Sequence, residues 1–169
     1  MFVLTCAYVL HGPTGSVGIS QGDWAAWKSM ERIYESGRTR LLGVSNVSFE
    51  QLQLLCRAAK VRPHLVQNRC YAVQGWDREV RDFCKAESVV YQGFSLLTAN
   101  RAVMASNELA KIAERHGCSA AQVVFSFALS VGMIPLIGTS DAKHMQSDLD
   151  VFNLQLKPEE IDLVERLTG

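Results

Sequence analysis

Arg40-Leu41-Leu42-Gly43-Val44-Ser45-Asn46 is the stretch whose reading decides the fold. Its apolar centre predicts a short buried strand that stops abruptly at two small polar residues, Ser45 and Asn46. Ser48 follows, with Gln51 three residues on, the spacing of a capping box that opens a helix. Polar side chains at a strand's carboxyl end, just ahead of a helix, lie where α/β proteins place ligand contacts. Ordinary strand-end turns also use Ser and Asn, so the pattern gains its weight by recurring along the chain.

Working outward, residues 2–10 are β-branched and aromatic-rich and predict a strand ending at His11-Gly12-Pro13. A Gly/Ser-rich loop over 14–22 follows, and Asp23 is expected to cap a helix with Trp24, Trp27, Met30 and Ile33 on one face, ended by Gly37. After the strand at 41–44 comes a helix over 49–60, with Leu52, Leu55, Cys56 and Ala59 inward and Pro63 breaking it. A strand at 64–67 ends in Gln67-Asn68. Asp77 is expected to cap a helix to Ala86, and a strand at 89–92 leads into Gly93-Phe94-Ser95. A helix at 108–116 ends at Gly117. Ser119 and Gln122 form a second capping box for a helix over 120–130. A strand at 134–137 ends in Gly138-Thr139-Ser140, Asp141 caps the next helix, and Pro158 opens the last. Five short apolar strands, each followed by a helix, predict a parallel sheet covered on both faces in one α/β domain, either a (β/α)-barrel or a doubly wound sheet.

Composition narrows the function. The 169 residues are 48% hydrophobic, with 17 Lys+Arg balanced by 17 Asp+Glu. That balance offers no electrostatic footprint for nucleic acid or an anionic membrane, and no stretch reaches the ~18 apolar residues of a membrane helix. Five scattered cysteines, never spaced Cys-x-x-Cys, read as reduced thiols of a cytoplasmic protein. The G-x-G-x-x-G and Walker patterns are absent, and Gly12, Gly15 and Gly18 sit on a loop that does not turn into a helix. No Gly-x-Ser-x-Gly elbow and no metal-ligand spacing occur. His64 and His116 read as helix-end or surface residues, and Tyr8 as packing.

Val9-Leu10-His11-Gly12-Pro13, Leu42-Gly43-Val44-Ser45-Asn46, Val66-Gln67-Asn68, Gly93-Phe94-Ser95-Leu96-Leu97 and Leu136-Ile137-Gly138-Thr139-Ser140 occur in that order over nearly the whole chain. Together they resemble the aldo-keto reductase family, whose fold is a (β/α)8 barrel. The resemblance implies hydride transfer from NAD(P)H to an aldehyde or ketone carbonyl. It implies that Ser45, Asn46 and Gln67 hydrogen-bond the nicotinamide carboxamide, that Phe94 stacks on the ring beside Ser95, and that His11 orients the substrate carbonyl. The segment from Thr139 to Asp148, with Gly138, Lys143 and His144, would embrace the adenosine phosphates.

Two departures from the family pattern shape the expectation. Gly138 stands where the family has Lys and His144 where it has Arg, leaving only Lys143 and His144 nearby, so the cofactor reads as NADP(H) or NAD(H). The family's Asp, Tyr and Lys lie on strands ahead of the His strand, and the resemblance covers strands four to eight of a barrel that takes ~250 residues. The chain is therefore expected to be a partial barrel with weak or absent catalysis. The alternative is a non-catalytic cofactor-binding or interaction module that self-associates or pairs through an exposed sheet edge.

Overall fold

The computed structural model describes residues 5–168. Its elements are β1 (Thr5–Leu10), α1 (Gln21–Glu35), β2 (Thr39–Ser45), α2 (Phe49–Ala58), β3 (Leu65–Arg69), α3 (Arg78–Ala86), β4 (Val90–Phe94), α4 (Arg101–Met104), α5 (Asn107–His116), α6 (Ala120–Ser130), β5 (Met133–Leu136), α7 (Ala142–Leu149) and α8 (Pro158–Arg166). The first residues of the expected 2–10 strand lie outside the described residues. Hydrogen bonding orders the strands β1-β2-β3-β4-β5 in one sheet. Sequential parallel order is that of a (β/α) array; a doubly wound sheet reverses direction at a switch point, and none occurs here. The chain divides into two compact units, residues 1–68 with 79–92 and residues 69–78 with 93–169.

In the first unit β1 and β2 pair in parallel from Thr5↔Thr39 to Leu10↔Val44. β2 and β3 pair through Gly43↔Leu65, Val44↔Val66 and Ser45↔Gln67. A Cβ on Gly43 would lie 2.5 Å from Leu65 Cδ1, so any larger residue there would displace the Leu65 side chain that packs over it. Leu42, Val44, Val66, Leu52, Leu55 and Trp27 form the core. α2 opens on the expected capping box, Ser48 with Gln51. The Gln51 amide also donates to the carbonyls of Gly15 and Gly18, both at 2.8 Å, pinning the glycine-rich loop.

Three local expectations are corrected. α1 is capped by Ser20, with Asp23 as its third residue. Burial pushes the Asp23 carboxyl up, but hydrogen bonds from Ser20 and Thr14 outweigh it and hold the group below the usual range. α2 stops at Ala58, five residues ahead of Pro63, because extended backbone at Ala59 carries Val61 to α1. There the Val61 N–H donates to Glu31 and its carbonyl accepts from Trp27 Nε1 at 3.1 Å. His64 is not a surface residue: its Nδ1 accepts the Leu42 N–H at 3.1 Å and its ring lies 5.2 Å from Tyr34.

The second unit packs Trp76 and Phe127 at 5.3 Å, with Trp76 Nε1 donating to the Val164 carbonyl at 3.0 Å. Ahead of α3 the chain forms a 3-10 helix, Ala72–Asp77, interrupted by non-helical backbone at Gln74, Gly75 and Trp76. Asn100, buried, accepts from Ala72 N and donates to the Cys70 and Leu96 carbonyls. α6 spans the predicted residues, with Ser119 and Gln122 as its capping box. His116 is the helix-end residue expected, closing α5, and its Nε2 meets Glu160 Oε2 at 2.8 Å.

Glu160, only 3% exposed, also accepts from Arg115 and from the Lys157 N–H. Burial alone would raise its carboxyl; the Lys157, His116 and Arg115 bonds prevail and bring it to about 2. A carboxyl depressed from 4.5 contributes its full stability above that pH and loses it as pH falls towards 2. Glu160→Gln is therefore expected to lower the urea midpoint at neutral pH and to converge with the parent chain near pH 2. Parallel acid profiles for the two proteins would show that this carboxylate carries no such stability.

Candidate functional site

The carboxyl ends of the strands in the first unit gather His11, Ser45, Asn46 and Gln67. Register places Ser45 directly beside Gln67. Ser45, 6% exposed, donates its hydroxyl proton to the Gln67 main-chain carbonyl at 2.7 Å. The Asn46 N–H donates to the same oxygen at 3.0 Å. Asn46 then turns the chain off the sheet with φ at +50°, a left-handed backbone that asparagine tolerates better than most side chains. Its Nδ2 donates to the His11 carbonyl at 3.0 Å and to Ser45 Oγ at 3.1 Å.

These bonds decide which polar atoms remain for a ligand. Both Asn46 amide hydrogens are committed, so its open atom is Oδ1. The proton of Ser45 is committed too, so towards a ligand its hydroxyl can only accept. Gln67 donates one amide hydrogen to Gln92 Oε1 at 2.8 Å. Its carbonyl Oε1 and second N–H have no other partner among the described residues. Asn68 differs from its neighbour: it is buried, and its amide clasps the Val47 N–H at 3.0 Å and the Val47 carbonyl at 2.8 Å. It substitutes for a backbone rung and is structural.

His11 is exposed at the end of β1, and its imidazole makes no hydrogen bond among the described residues. It borders a groove of about 370 Å³ with Tyr8, Ser29, Met30 and Ile33. Tyr8, expected as packing, is 45% exposed and lines the same groove. Gly12 keeps this turn tight, since a Cβ there would come within 3.2 Å of the Ser45 carbonyl.

The second unit holds the remaining candidates. Phe94 is half-buried at the end of β4, and its carbonyl accepts from the Cys70 N–H at 3.1 Å. Ser95 turns left-handed, with φ at +58°. Gly138 has open space around it. Asp141 caps α7 as expected: its Oδ1 accepts from the Lys143 N–H at 2.7 Å and the His144 N–H at 3.2 Å. Those backbone bonds, from His144 first and then Lys143, hold the Asp141 carboxyl below its usual range. The Lys143 and His144 side chains are exposed. Thr139 and Asp148 line a cavity of about 530 Å³ with Ile134, Ile137, Met145 and Phe152. Sequence reasoning missed this apolar cavity and also Gln92, whose signal was a lone amide closing an apolar strand.

Among the described residues no three metal-ligating side chains gather, and no helix is long and apolar enough to cross a membrane.

Comparison with known proteins agrees with this geometry. The model of the aldo/keto reductase family matches residues 7–168. The chain is 27% identical over 141 residues to glyoxal reductase of Bacillus subtilis, covering 83% of this chain and 50% of that protein. It is 26% identical to an NADPH-dependent alpha-keto amide reductase of Saccharomyces cerevisiae, covering 95% of this chain and 54% of that one. Among solved structures, a mutant of Gox0644 in complex with NADPH superposes with a TM-score of 0.85 at 27% identity, covering 97% of this chain and 59% of that chain. The chain spans about half the length of these two reductases. Its five parallel strands correspond to part of a (β/α)8 barrel.

The left-handed turn gives a direct check on the site's architecture. Asn46→Ala and Asn46→Gly lose the same side-chain bonds, but alanine must still hold a positive φ. The alanine variant is expected to be the less stable by about 1 kcal/mol in denaturant unfolding. Equal midpoints would show that the turn relaxes once the amide is gone.

Proposed function

We propose a function from one premise: the chain belongs to the aldo/keto reductase family. It binds a nicotinamide dinucleotide, NADP(H) or NAD(H), at the strand ends, and it contributes that part of a barrel that reduces an aldehyde or ketone to the alcohol. The observation that carries this reading is the set of polar atoms left open in the first unit. Asn46 Oδ1 and Gln67 Oε1 are two acceptors and the second Gln67 N–H is a donor, the complement of a primary carboxamide. All are held on strand ends by bonds to neighbouring groups, so little ordering remains to be done on binding.

Bound there, a reduced nicotinamide supplies a hydride to a carbonyl carbon. The residues of this chain do the rest. Asn46 and Gln67 hold the carboxamide and so fix which ring face is offered, and Ser45 keeps the Asn46 amide aimed. Phe94, an aromatic where the family usually has Tyr or Trp, gives a flat apolar surface against which a ring can stack, with Ser95 beside it. The His11 imidazole donates to a carbonyl oxygen and stabilises the charge that develops on it. Lys143 provides positive charge for the phosphates and the His144 ring lies beside it, with open space at Gly138 leaving room. The Asp141 carboxylate already occupies the first amides of α7, so phosphate binding relies on those side chains rather than on the helix terminus. The Asp, Tyr and Lys that accompany the histidine in the family lie on strands ahead of the one that ends at His11, so to these 169 residues taken alone we assign cofactor binding with weak or absent turnover.

A second reading rests on the exposure of β1. The strand pairs with β2 along one edge only, among the described residues, and grooves of about 370 and 230 Å³ flank it. A module that associates with itself or with a complementary piece through that edge would use those grooves.

Thermal unfolding with and without nucleotide tests the first reading. Saturation at ~100 times Kd should add ~2.7 kcal/mol to the native state. The shift is expected with NADPH or NADH and should vanish in the Asn46→Ala, Gln67→Ala double variant. Any oxidation of NADPH by a reactive aldehyde should fall to background in His11→Ala. A cooperative transition indifferent to both nucleotides would remove the cofactor reading, and a concentration-dependent mass in sedimentation would then favour association.

A further inference from the structure

We propose that Gln122 is a positioning residue: its side-chain amide, anchored in the cap of α6, holds α7 in place and so fixes where Lys143 meets the phosphates of a bound nucleotide. The proposal rests on the cofactor reading above and adds to it what keeps the phosphate-facing helix in position.

Packing holds α7 only weakly. None of its eight residues is buried. Its apolar side chains Met145 and Leu149 are exposed and, with Ile134 and Ile137, line the open cavity of about 530 Å³ rather than a filled core. A short helix draws most of its stability from an apolar face packed against other elements, and here that support is slight. Gln122, the third residue of α6, supplies a hydrogen bond in its place: Nε2 donates to the Ser147 main-chain carbonyl in the last turn of α7 at 2.9 Å. The other side-chain partners of α7 among the described residues are its own flanking residues, Asp141 and Asp150. Two main-chain groups settle the direction of the Gln122 amide. Its Oε1 accepts the Ser119 N–H at 2.9 Å, one half of the capping box, while its Nε2 meets a carbonyl. A reversed amide would set nitrogen against an N–H and oxygen against a carbonyl, and both bonds would be lost. Gln51 repeats the device in the first unit, with Oε1 on the Ser48 N–H and Nε2 on the carbonyls of the loop that follows His11. In each case one glutamine opens a helix and secures a segment that adjoins candidate site residues.

Substitution separates the two tasks. Gln122→Glu still accepts the Ser119 N–H, as capping-box glutamates do, but has no proton for the Ser147 carbonyl. Ser119→Ala removes the hydroxyl that accepts from Gln122 N and leaves the atoms of the tether in place. Gln122→Met ends both tasks and adds no charge for the phosphates to meet.

Hydrogen exchange reads the tether without nucleotide. The backbone amides of 142–149 should exchange about 2- to 12-fold faster in Gln122→Glu, the span corresponding to one net hydrogen bond, and at the parent rate in Ser119→Ala. Should Gln122→Glu fail to show a cooperative unfolding transition, Gln122→Met reads the same exchange. A double-mutant cycle on the Kd for NADPH then tests positioning. Lys143→Met is expected to weaken NADPH binding in the parent chain and to cost at least about 2-fold less in the Gln122→Met background, because a cation on an untethered helix has less to lose. A Gln122 that only stabilises the fold would leave the Lys143→Met factor equal in both backgrounds. Equal factors, unchanged exchange in Gln122→Glu, or equal acceleration in Ser119→Ala, with NADPH still bound by the parent chain, would each overturn the role of Gln122 and leave the cofactor reading standing. Absence of NADPH binding by the parent chain would overturn both.

Discussion

The main-chain carbonyl of Gln67 is where the site is tied. It receives two protons, one from the Ser45 hydroxyl and one from the Asn46 N–H, at the point where β2 stops and β3 runs on beside it. Ser45 and Asn46 take their direction from that junction. With its proton drawn inward, Ser45 Oγ can accept from Asn46. With one hydrogen on Ser45, the Asn46 amide reaches the His11 carbonyl with the other. Three strand ends are thus linked through one asparagine. Side chains alternate faces along a strand, so a one-residue slip of β2 against β3 would turn Ser45 to the other side of the sheet and dissolve the arrangement.

Much of this was legible from residue types alone, because the chemistry concerned is local. The capping boxes at Ser48 and Ser119 form as read, since each needs only a hydroxyl and an amide three residues apart. The same logic missed Ser20, which lies at the end of a Gly/Ser-rich run where many residues look like caps; Asp23 fits the capping pattern equally well and is its partner instead. The polar strand ends Ser45, Asn46 and Gln67 announced themselves by interrupting apolar runs. Gln92 did likewise, but its meaning depends on Gln67 being next to it on another strand, which no local pattern reveals. The same holds for His64 and His116, whose partners Leu42 and Glu160 are distant in sequence. The left-handed turn at Ser95 had no signal either, because serine carries no marked preference for that backbone.

The two units solve the problem of buried polarity in the same way. Asn68 in one and Asn100 in the other place an amide where a strand or turn leaves backbone groups unmet. An amide suits the task because it offers a donor and an acceptor side by side, as the peptide group does. Such a side chain is expensive to bury alone and inexpensive once both edges are matched. That is why these asparagines are hidden while Asn46, with one edge matched, stays exposed.

One further property follows from how the tryptophans are housed. The chain has three, Trp24, Trp27 and Trp76. Trp24 and Trp27 belong to the first unit; Trp76 is the only indole of the second. Trp27 and Trp76 are both almost wholly shielded, and each donates its ring N–H to a backbone carbonyl, of Val61 and Val164 respectively. Each unit therefore carries its own built-in fluorophore in a dry, hydrogen-bonded setting. The emission of the second unit comes from one residue, so the optical signatures of the two halves can be separated with a single Trp76→Phe substitution. Whether they melt together or in succession is then readable by light alone.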